Sequence, residues 1–392
     1  LKVLNYNKNK IDLSKLRFLP GEWIGIYDEL ESKKFLGFID PFQTKTSQII
    51  TFVKIINDTE MSELEKEDEE SIVQYFLENQ IEKSIQLRLK HFSLETSKRI
   101  VFGAQDSLPG LTIDQYDNCV IMKISKLGMY RYRDLIINFI SHKFKNKKVF
   151  CLYENIEFEK YQSLPESQNT FDIEYIELHE NGIKIQIPFK LFQKLGHYFD
   201  HRKNRMKLIQ ILREMNISSG NALDLFCYNG IWGLQLARHG IQNITLVDQG
   251  DFQDLIKKNF SLNNLNVSYE VLRKDVFQFL DQCIQENQTY SIIVSDPPAF
   301  TKSYKNKESA IIGYKKLHQK IIKIAKRNAI ISINSCTQYI NLLELDLTFS
   351  EMVKKLGRSC QLLDFGFQDL DHPISSFSDS GNYLKSIIYQ LD

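Results

Sequence analysis

The chain has 392 residues, 43% of them hydrophobic and 25% charged, with a formal net charge of +1. That length supports two or three domains with sizeable cores, and the mixture is that of an ordinary globular protein. The near-neutral balance lacks the strong positive excess of many nucleic-acid-binding proteins, so any RNA contact must rest on local basic patches. No apolar run reaches bilayer-spanning length, so no membrane partner is expected. No charged-then-apolar leader with a cleavage site is visible, and a cytoplasmic location is the expectation. The first residue is Leu1, and a few preceding residues are expected. Cys119, Cys151, Cys227, Cys283, Cys336 and Cys360 show no C-x-x-C pairing. This argues against a zinc site or disulfide scaffold and for reduced thiols.

Residues 1 to about 58 read as β-rich, with short strands at Gly21–Tyr27, Phe35–Ile39 and Gln48–Val53 and a proline-bearing loop at Asp40-Pro-Phe-Gln-Thr. A small barrel is expected, and a structural β appendage is the alternative. Asp58–Glu70 is acidic and reads as a linker or helix start. Ser71–Phe92 has helical spacing through Ile72, Tyr75, Phe76, Ile81, Ile85 and Leu89. Arg88, Lys90 and His91 at its end are read as complementing the helix dipole. Pro109-Gly110 marks a turn into a strand, Cys119–Ser125 is the next strand, Arg131–His142 a helix and Val149–Tyr153 a strand. Asn181-Gly182 predicts a tight hairpin between Tyr175–Leu178 and Ile183–Ile187.

From Asn221 onward strands and helices alternate, which predicts a parallel, doubly wound sheet. Ala222-Leu-Asp-Leu-Phe-Cys-Tyr-Asn-Gly230 reads as strand and turn, with Asn229 and Gly230 supplying positive φ. Ile231, Leu234 and Ala237 recur at helical spacing, and Gly240 ends the helix. Asp248 closes the next apolar run, where a nucleotide-binding α/β fold places a carboxylate for ribose hydroxyls. Asp275 follows a third strand, Asp296-Pro-Pro-Ala-Phe300 a fourth, and Cys336 ends a fifth, Ala329–Cys336. Ser309–Arg327 and Leu342–Leu356 read as helices, and a strand pair closes the chain, its second member at Tyr383–Gln390. Each Asp taken singly is as well explained by a helix cap or turn. Four at successive strand ends line one crevice and together favour a ligand site. The glycine spacing is not G-x-G-x-x-G, which disfavours a nicotinamide oxidoreductase.

The acidic strand ends with Asp296-Pro-Pro-Ala-Phe300 resemble the class I S-adenosylmethionine (SAM) methyltransferases. Longer stretches resemble one family among them. Asp106–Gln115 is similar to D-x-L-P-G-L-x-V-D-x, Gln193–Arg205 to Q-K-T-G-F-Y-L-D-Q-R-x-N-R, and Asp224–Gly230 to D-L-F-C-Y-T-G. Asp296–Ser303 matches D-P-P-A-F-A-K-S, Ser335-Cys-Thr matches S-C-S, and Asp371-His-Pro with Tyr383-Leu-Lys385 matches D-H-P…Y-L-K. The family is the RlmI/YccW-like methyltransferases, which form 5-methylcytosine in large-subunit ribosomal RNA. The resemblance covers nearly the whole chain, in order. It implies an α/β class I SAM-methyltransferase domain with a doubly wound, Rossmann-like sheet over residues 193–392. A PUA-like RNA-binding β-barrel over 1–70 and a central α+β domain over 71–192 would precede it. It also suggests an rRNA partner and a homodimer. The chain departs from the pattern at Leu195 (usually Thr), His197 (an aromatic), His201 (Gln), Asn229 and Ile231. Gln249-Gly-Asp follows Asp248 where a serine is common.

The resemblance implies SAM as cofactor, held by Asp224 at its cationic methionine end and by Phe226, Tyr228, Asn229 and Gly230 along the turn. Asp248 would take the ribose diol and Asp275 the adenine amino group, with Asp296 also among the cofactor-binding residues. Carbon 5 of cytosine is a poor nucleophile, and a thiolate adding at carbon 6 would activate it. Cys336 is the candidate nucleophile, with local activation of its thiol expected; a buried strand-end cysteine is the alternative. Asp296 would bind the cytosine edge, Pro297 form a wall, and Phe300 support or stack on a flipped base. Lys302, with Lys305 and Lys307, would meet phosphates or form a solvated loop. Two rivals stay open: a guanine-N2 or other base methyltransferase, which needs no cysteine, and a non-catalytic RNA-binding protein that keeps a SAM pocket.

Overall fold

The computed structural model describes residues 1–6, 18–40, 50–57, 59, 60, 62, 68–153, 173–374 and 381–392. Most of the expected linker 58–70 and the proline loop after Asp40 lie outside these residues. Contacts divide the chain into two units, Leu1–Ile176 and Glu177–Asp392, whereas the domains expected from sequence have boundaries after 70 and 192.

In the first unit β1 (Lys2–Tyr6), β2 (Trp23–Asp28), β3 (Lys33–Ile39) and β4 (Ile50–Ile56) form a four-stranded sheet in that order. The long helix α1 (Glu69–Leu89) follows. A second sheet has the order β5 (Lys98–Phe102), β6 (Leu111–Gln115), β7 (Cys119–Ile124) and β8 (Lys148–Tyr153). Helices α2 (Leu127–Arg131) and α3 (Arg133–Lys143) carry the crossover between β7 and β8, which pair in parallel. Trp23 and Phe38 of the first sheet share one buried core with Val73 and Leu77 of α1 and with Val101 and Val120 of the second. The Trp23 indole donates to the Gly128 carbonyl at 3.0 Å. Arg88 is not a dipole residue: it is fully buried and donates to both oxygens of Asp106 at 2.6 and 2.7 Å.

The boundary between the units falls within β9 (Tyr175–Glu180), which forms a hairpin with β10 (Ile183–Pro188), turning at Asn181 and Gly182 with φ of 50° and 78°. Both signs of φ match the type I′ turn expected of Asn-Gly. Helices α4 (Phe189–Leu195) and α5 (Arg202–Glu214) lead into the main sheet. Its strands are β11 (Asn221–Leu225), β12 (Asn243–Asp248), β13 (Ser268–Arg273), β14 (Tyr290–Ser295), β15 (Ala325–Ser335), β16 (Cys360–Gly366) and β17 (Lys385–Leu391). They lie in the order β13-β12-β11-β14-β15-β17-β16. β17 runs antiparallel to both its neighbours, and β11 to β15 pair in parallel. The connections are α6 (Ile231–His239), α7 (Gln253–Leu262), α8 (Val276–Gln285), α9 (Lys307–Ile324) and α10 (Leu342–Lys355).

Phe279 of α8, Leu317 of α9 and Phe349 of α10 bury against Leu225, Val247, Ile293, Ile333 and Tyr389 on one face of the sheet. Leu246, pointing the other way by strand alternation, meets α6. There a Cβ on Gly233 would approach Leu246 Cδ2 to 2.7 Å, so glycine lets the helix sit close. Strand order reverses between β11 and β14, and this switch point opens a crevice at the carboxyl ends. Helix α9 ends at Ile324, so Lys326 and Arg327 lie in β15 rather than in the helix expected there.

Candidate active site

Asp224, Asp248, Asp275, Asp296 and Cys336 all sit at the carboxyl ends of β11 to β15. Asp224 is fully buried. Its Oδ2 accepts from Gly233 N of α6 at 2.9 Å, while its Oδ1 is buried with no partner among the described residues. Burial is the main cause that pushes this carboxyl up to about 8; the Gly233 bond opposes the rise, and the negative charges of Asp296 and Asp248 add to it. An orphaned acceptor beside two further carboxylates is a site made for a cation.

The turn after β11 is tighter than the sequence suggested. Positive φ falls on Phe226 (62°), Tyr228 (46°) and Gly230 (75°), and Asn229 does not take it. Side-chain residues in that region are strained, a condition that clusters at ligand sites. Asn229 works through its side chain: Oδ1 accepts from Ile231 N at 3.3 Å, and Nδ2 lies 3.3 Å from His197 Nδ1. The Tyr228 hydroxyl donates to the Gly196 carbonyl at 2.7 Å. Asp248 closes the turn from β12, accepting from Tyr228 N at 3.1 Å and from Gly250 N at 2.8 Å. Asp275 caps α8, its Oδ1 accepting from Gln278 N at 3.0 Å. One oxygen of that exposed carboxylate is therefore already engaged.

A buried ionic cluster braces the turn from below. Glu180 ends β9 and accepts from Arg205 Nε at 2.5 Å and Nη2 at 2.9 Å, with His197 Nε2 3.0 Å away. Burial pushes the Glu180 carboxyl up, but Arg205 and His197 outweigh it and hold it well below the carboxylate range. Burial pushes His197 down. His197 also packs edge-on against Phe199, centroids 4.8 Å apart, so the departure from an aromatic keeps the ring contact and adds polar bonds. The side chain of Leu195, another departure, lies outside the described residues.

Asp296 is clamped from both sides. The Trp232 indole donates to Oδ2 at 3.1 Å, and His201 Nε2 lies 3.2 Å from Oδ1. Cys336 follows β15 directly, and its Sγ lies 3.8 Å from the Pro297 carbonyl. Burial, then the charges of Asp296 and Asp200, push the thiol up to about 12. Burial and the mostly negative charges nearby thus oppose the activation expected from sequence. Cys227 is buried at the turn, its thiol pushed well up by burial.

The residues on either side of Cys336 are locked. The Tyr314 hydroxyl of α9 donates to Ser335 Oγ at 2.8 Å and lies 3.0 Å from Thr337 Oγ1, which accepts from Phe300 N at 3.2 Å. Phe300 stacks on Tyr314 with centroids 4.4 Å apart, so one ring face is already covered. Lys302 and Lys305 are exposed, and Lys307 pairs with Glu344 at 2.5 Å. Sequence reasoning missed the roles of Trp232, Tyr314, Asp200 and Lys385. Asp200, whose Oδ2 accepts from the Tyr383 hydroxyl at 2.5 Å, lay in a quoted motif without a role. Among the described residues no cluster of three or more His, Cys, Asp or Glu is arranged to hold a metal, and no helix is long and apolar enough to cross a membrane.

The family model described as Conserved hypothetical protein 95 matches residues 201–345, the stretch from the Asp296 clamp to α10. Ribosomal RNA large subunit methyltransferase I of Shewanella frigidimarina (strain NCIMB 400) is 29% identical over 308 residues, 76% of this chain and 75% of the relative. The protein of that name from Pseudoalteromonas atlantica (strain T6c / ATCC BAA-1087) is 26% identical over 97% of this chain and 93% of its own. The chain is thus similar, over most of its length, to proteins named ribosomal RNA large subunit methyltransferase I. Among solved structures, one described as a SAM-dependent methyltransferase from Streptococcus mutans superposes with a TM-score of 0.72 at 19% identity, covering 97% of this chain and 93% of that one. The methyltransferase SMU.776, complexed with SAH, gives 0.71 at 20% identity over the same shares. These likenesses show that the chain shares the Rossmann-like fold of those methyltransferases, and the sheet order above is its framework.

Proposed function

We propose that the chain transfers a methyl group from SAM to carbon 5 of a cytosine in large-subunit ribosomal RNA, with Cys336 as the nucleophile. The observation that carries this reading is the juxtaposition of Cys336 with the Asp296-Pro297 segment at the ends of two paired strands, β14 and β15. A thiol, a clamped carboxylate and a backbone wall there meet the needs of covalent base activation.

The orphaned Oδ1 of Asp224 fits the cationic amino-acid end of SAM. In this reading Phe226 to Gly230 flank the cofactor, Asp248 takes the ribose diol, and Asp275 takes the adenine amino group through its remaining oxygen. When bound, SAM supplies the electrophilic methyl group that the activated carbon takes. The chain's own residues do the rest. The Cys336 S–H bond breaks, its proton passing to a solvent base, and the thiolate forms a bond to carbon 6. Electron density moves to carbon 5 while Asp296 accepts from the cytosine amino group. After alkylation a solvent base takes the carbon 5 proton, the C–H electron pair restores the carbon 5–carbon 6 double bond, and the carbon–sulfur bond breaks to return the thiolate. Pro297 and the free face of Phe300 bound the flipped base, and Lys302 meets phosphate. Residues 1–70 as a PUA-like RNA-binding module, 71–192 as a central domain and 193–392 as the catalytic domain belong to the same reading, as do a homodimer and a cytoplasmic location.

One observation favours a second reading. A thiol pushed up to about 12 is a weak nucleophile at neutral pH, which suits methylation of a guanine N2 or another base without a cysteine. The deciding experiment is methyl transfer from labelled SAM to unmodified large-subunit rRNA, followed by nucleoside analysis, with Cys336→Ala in parallel. Label in 5-methylcytosine that vanishes in the variant supports the first reading. Label in a methylated guanine that survives the variant supports the second. Tight RNA binding without any transfer would leave only a binding protein.

A further inference from the structure

Lys385 is 2% exposed, yet lysine is almost never fully buried unless paired. Among the described residues no carboxylate forms an ion pair with it. Its Nζ donates instead to two main-chain carbonyls, Thr337 at 2.9 Å and Tyr383 at 3.0 Å. The antiparallel register sets Lys385 opposite Ser335. The side chain therefore starts beside the residue before Cys336 and ends on the carbonyl of the residue after it. A buried cation with only neutral partners is an incomplete arrangement. The group that would complete it is an anion at position 336.

We infer that Lys385 is a positioning residue whose ammonium stabilises the thiolate of Cys336. The inference rests on Cys336 being the nucleophile of the proposed reaction. The thiol proton passes to a solvent base, the S–H electron pair stays on sulfur, and the adjacent ammonium offsets the new charge. The charged surroundings make such a partner necessary. Asp296 after β14 and Asp200 before α5 face Cys336 and oppose its ionisation. Tyr314 of α9 and Tyr198 also face it, both pushed upward in pKa chiefly by burial. Lys385 is the cation among these groups that favours the thiolate. Burial pushes Lys385 down to about 8, while Cys336 and Glu344 of α10 pull it up. Below about that pH the ammonium form prevails.

The test is the rate of iodoacetamide alkylation of Cys336 from pH 6 to 10 on the full chain, read by peptide mass spectrometry. Lys385→Gln keeps a hydrogen-bond donor and loses the charge; Lys385→Arg keeps the charge. Expected is an alkylation rate at pH 7.5 about tenfold lower in K385Q, the effect of one pKa unit, with K385R close to wild type. The profiles of Cys119 and Cys283 report retained folding. A Cys336 profile in folded K385Q that superposes on wild type overturns the inference and leaves Lys385 a backbone clamp. A second pair leaves Lys385 intact: Cys336→Asp should melt no lower than Cys336→Asn at pH 7, since a carboxylate completes the pair. Melting of C336D several degrees below C336N also overturns it. Neither readout uses RNA or methyl transfer, so failure of the cytosine reading appears in product analysis alone.

Discussion

Trp232 of α6 donates its indole hydrogen to Asp296 Oδ2 at 3.1 Å, tying the helix after the first strand of the parallel sheet to the loop after the fourth. With His201 on the other oxygen, the carboxylate has little rotational freedom. Trp232→Phe keeps the ring and releases one oxygen. Methyl transfer is expected to fall about 10- to 100-fold, as for loss of one positioned hydrogen bond in a reaction site. SAM affinity by calorimetry should change little. An unchanged rate would mean that the clamp does not orient Asp296.

Asp224 gives a pH prediction. Its ordinary value is 3.8, and burial first of all raises it to about 8 in the folded chain. The folded state therefore holds a proton that the unfolded state releases. The associated stability is complete below about pH 4 and is lost as pH climbs to about 8. Asp224→Asn cannot ionise and escapes this loss. Its unfolding free energy relative to wild type should grow from pH 5 to 8 and then level, reaching on the order of 1–3 kcal/mol. The variant should also lose SAM binding, a gain in stability at the expense of the site. Urea unfolding at several pH values checks the first half and calorimetry the second.

The Arg88–Asp106 pair explains a motif that reads as a turn. Arg88→Met removes the cation and leaves a buried carboxylate with the Phe102 N–H at 2.6 Å among its partners. Destabilisation of about 3–5 kcal/mol is expected from breaking a buried pair. Arg88→Met with Asp106→Leu should recover much of it. Denaturant unfolding of both variants tests this.

Legibility followed the range of the interactions. The hairpin at Asn181-Gly182 and the Asp-Pro-Pro segment were readable because adjacent residues set them. The end of α9 was not: Arg358, far along the chain, donates to the carbonyls of Ile322 and Ala325 at 3.0 and 2.7 Å and stops the helix there. Strands β1 and β5 were missed, being short and bearing lysines or arginine that hide the alternation. Positive φ at Phe226 and Tyr228 defied residue preference because the β12 end and Asp248 impose it. The acidic strand ends were visible as a row, whereas the partners that clamp Asp296 and bracket Cys336 come from elements separated in sequence.

The placement of β17 between β15 and β16 has a consequence for the order of synthesis. The strand that aligns beside Ser335 and delivers Lys385 is the last of the seven to be made. Six strands emerge first with a gap in their midst, and β15 waits with one edge unpaired. Domains fold as units, so the sheet that carries Asp224 and Cys336 closes only after β17 has been made. Cys336 is bracketed only when that final strand slots into the gap, and an incomplete chain lacks the finished crevice.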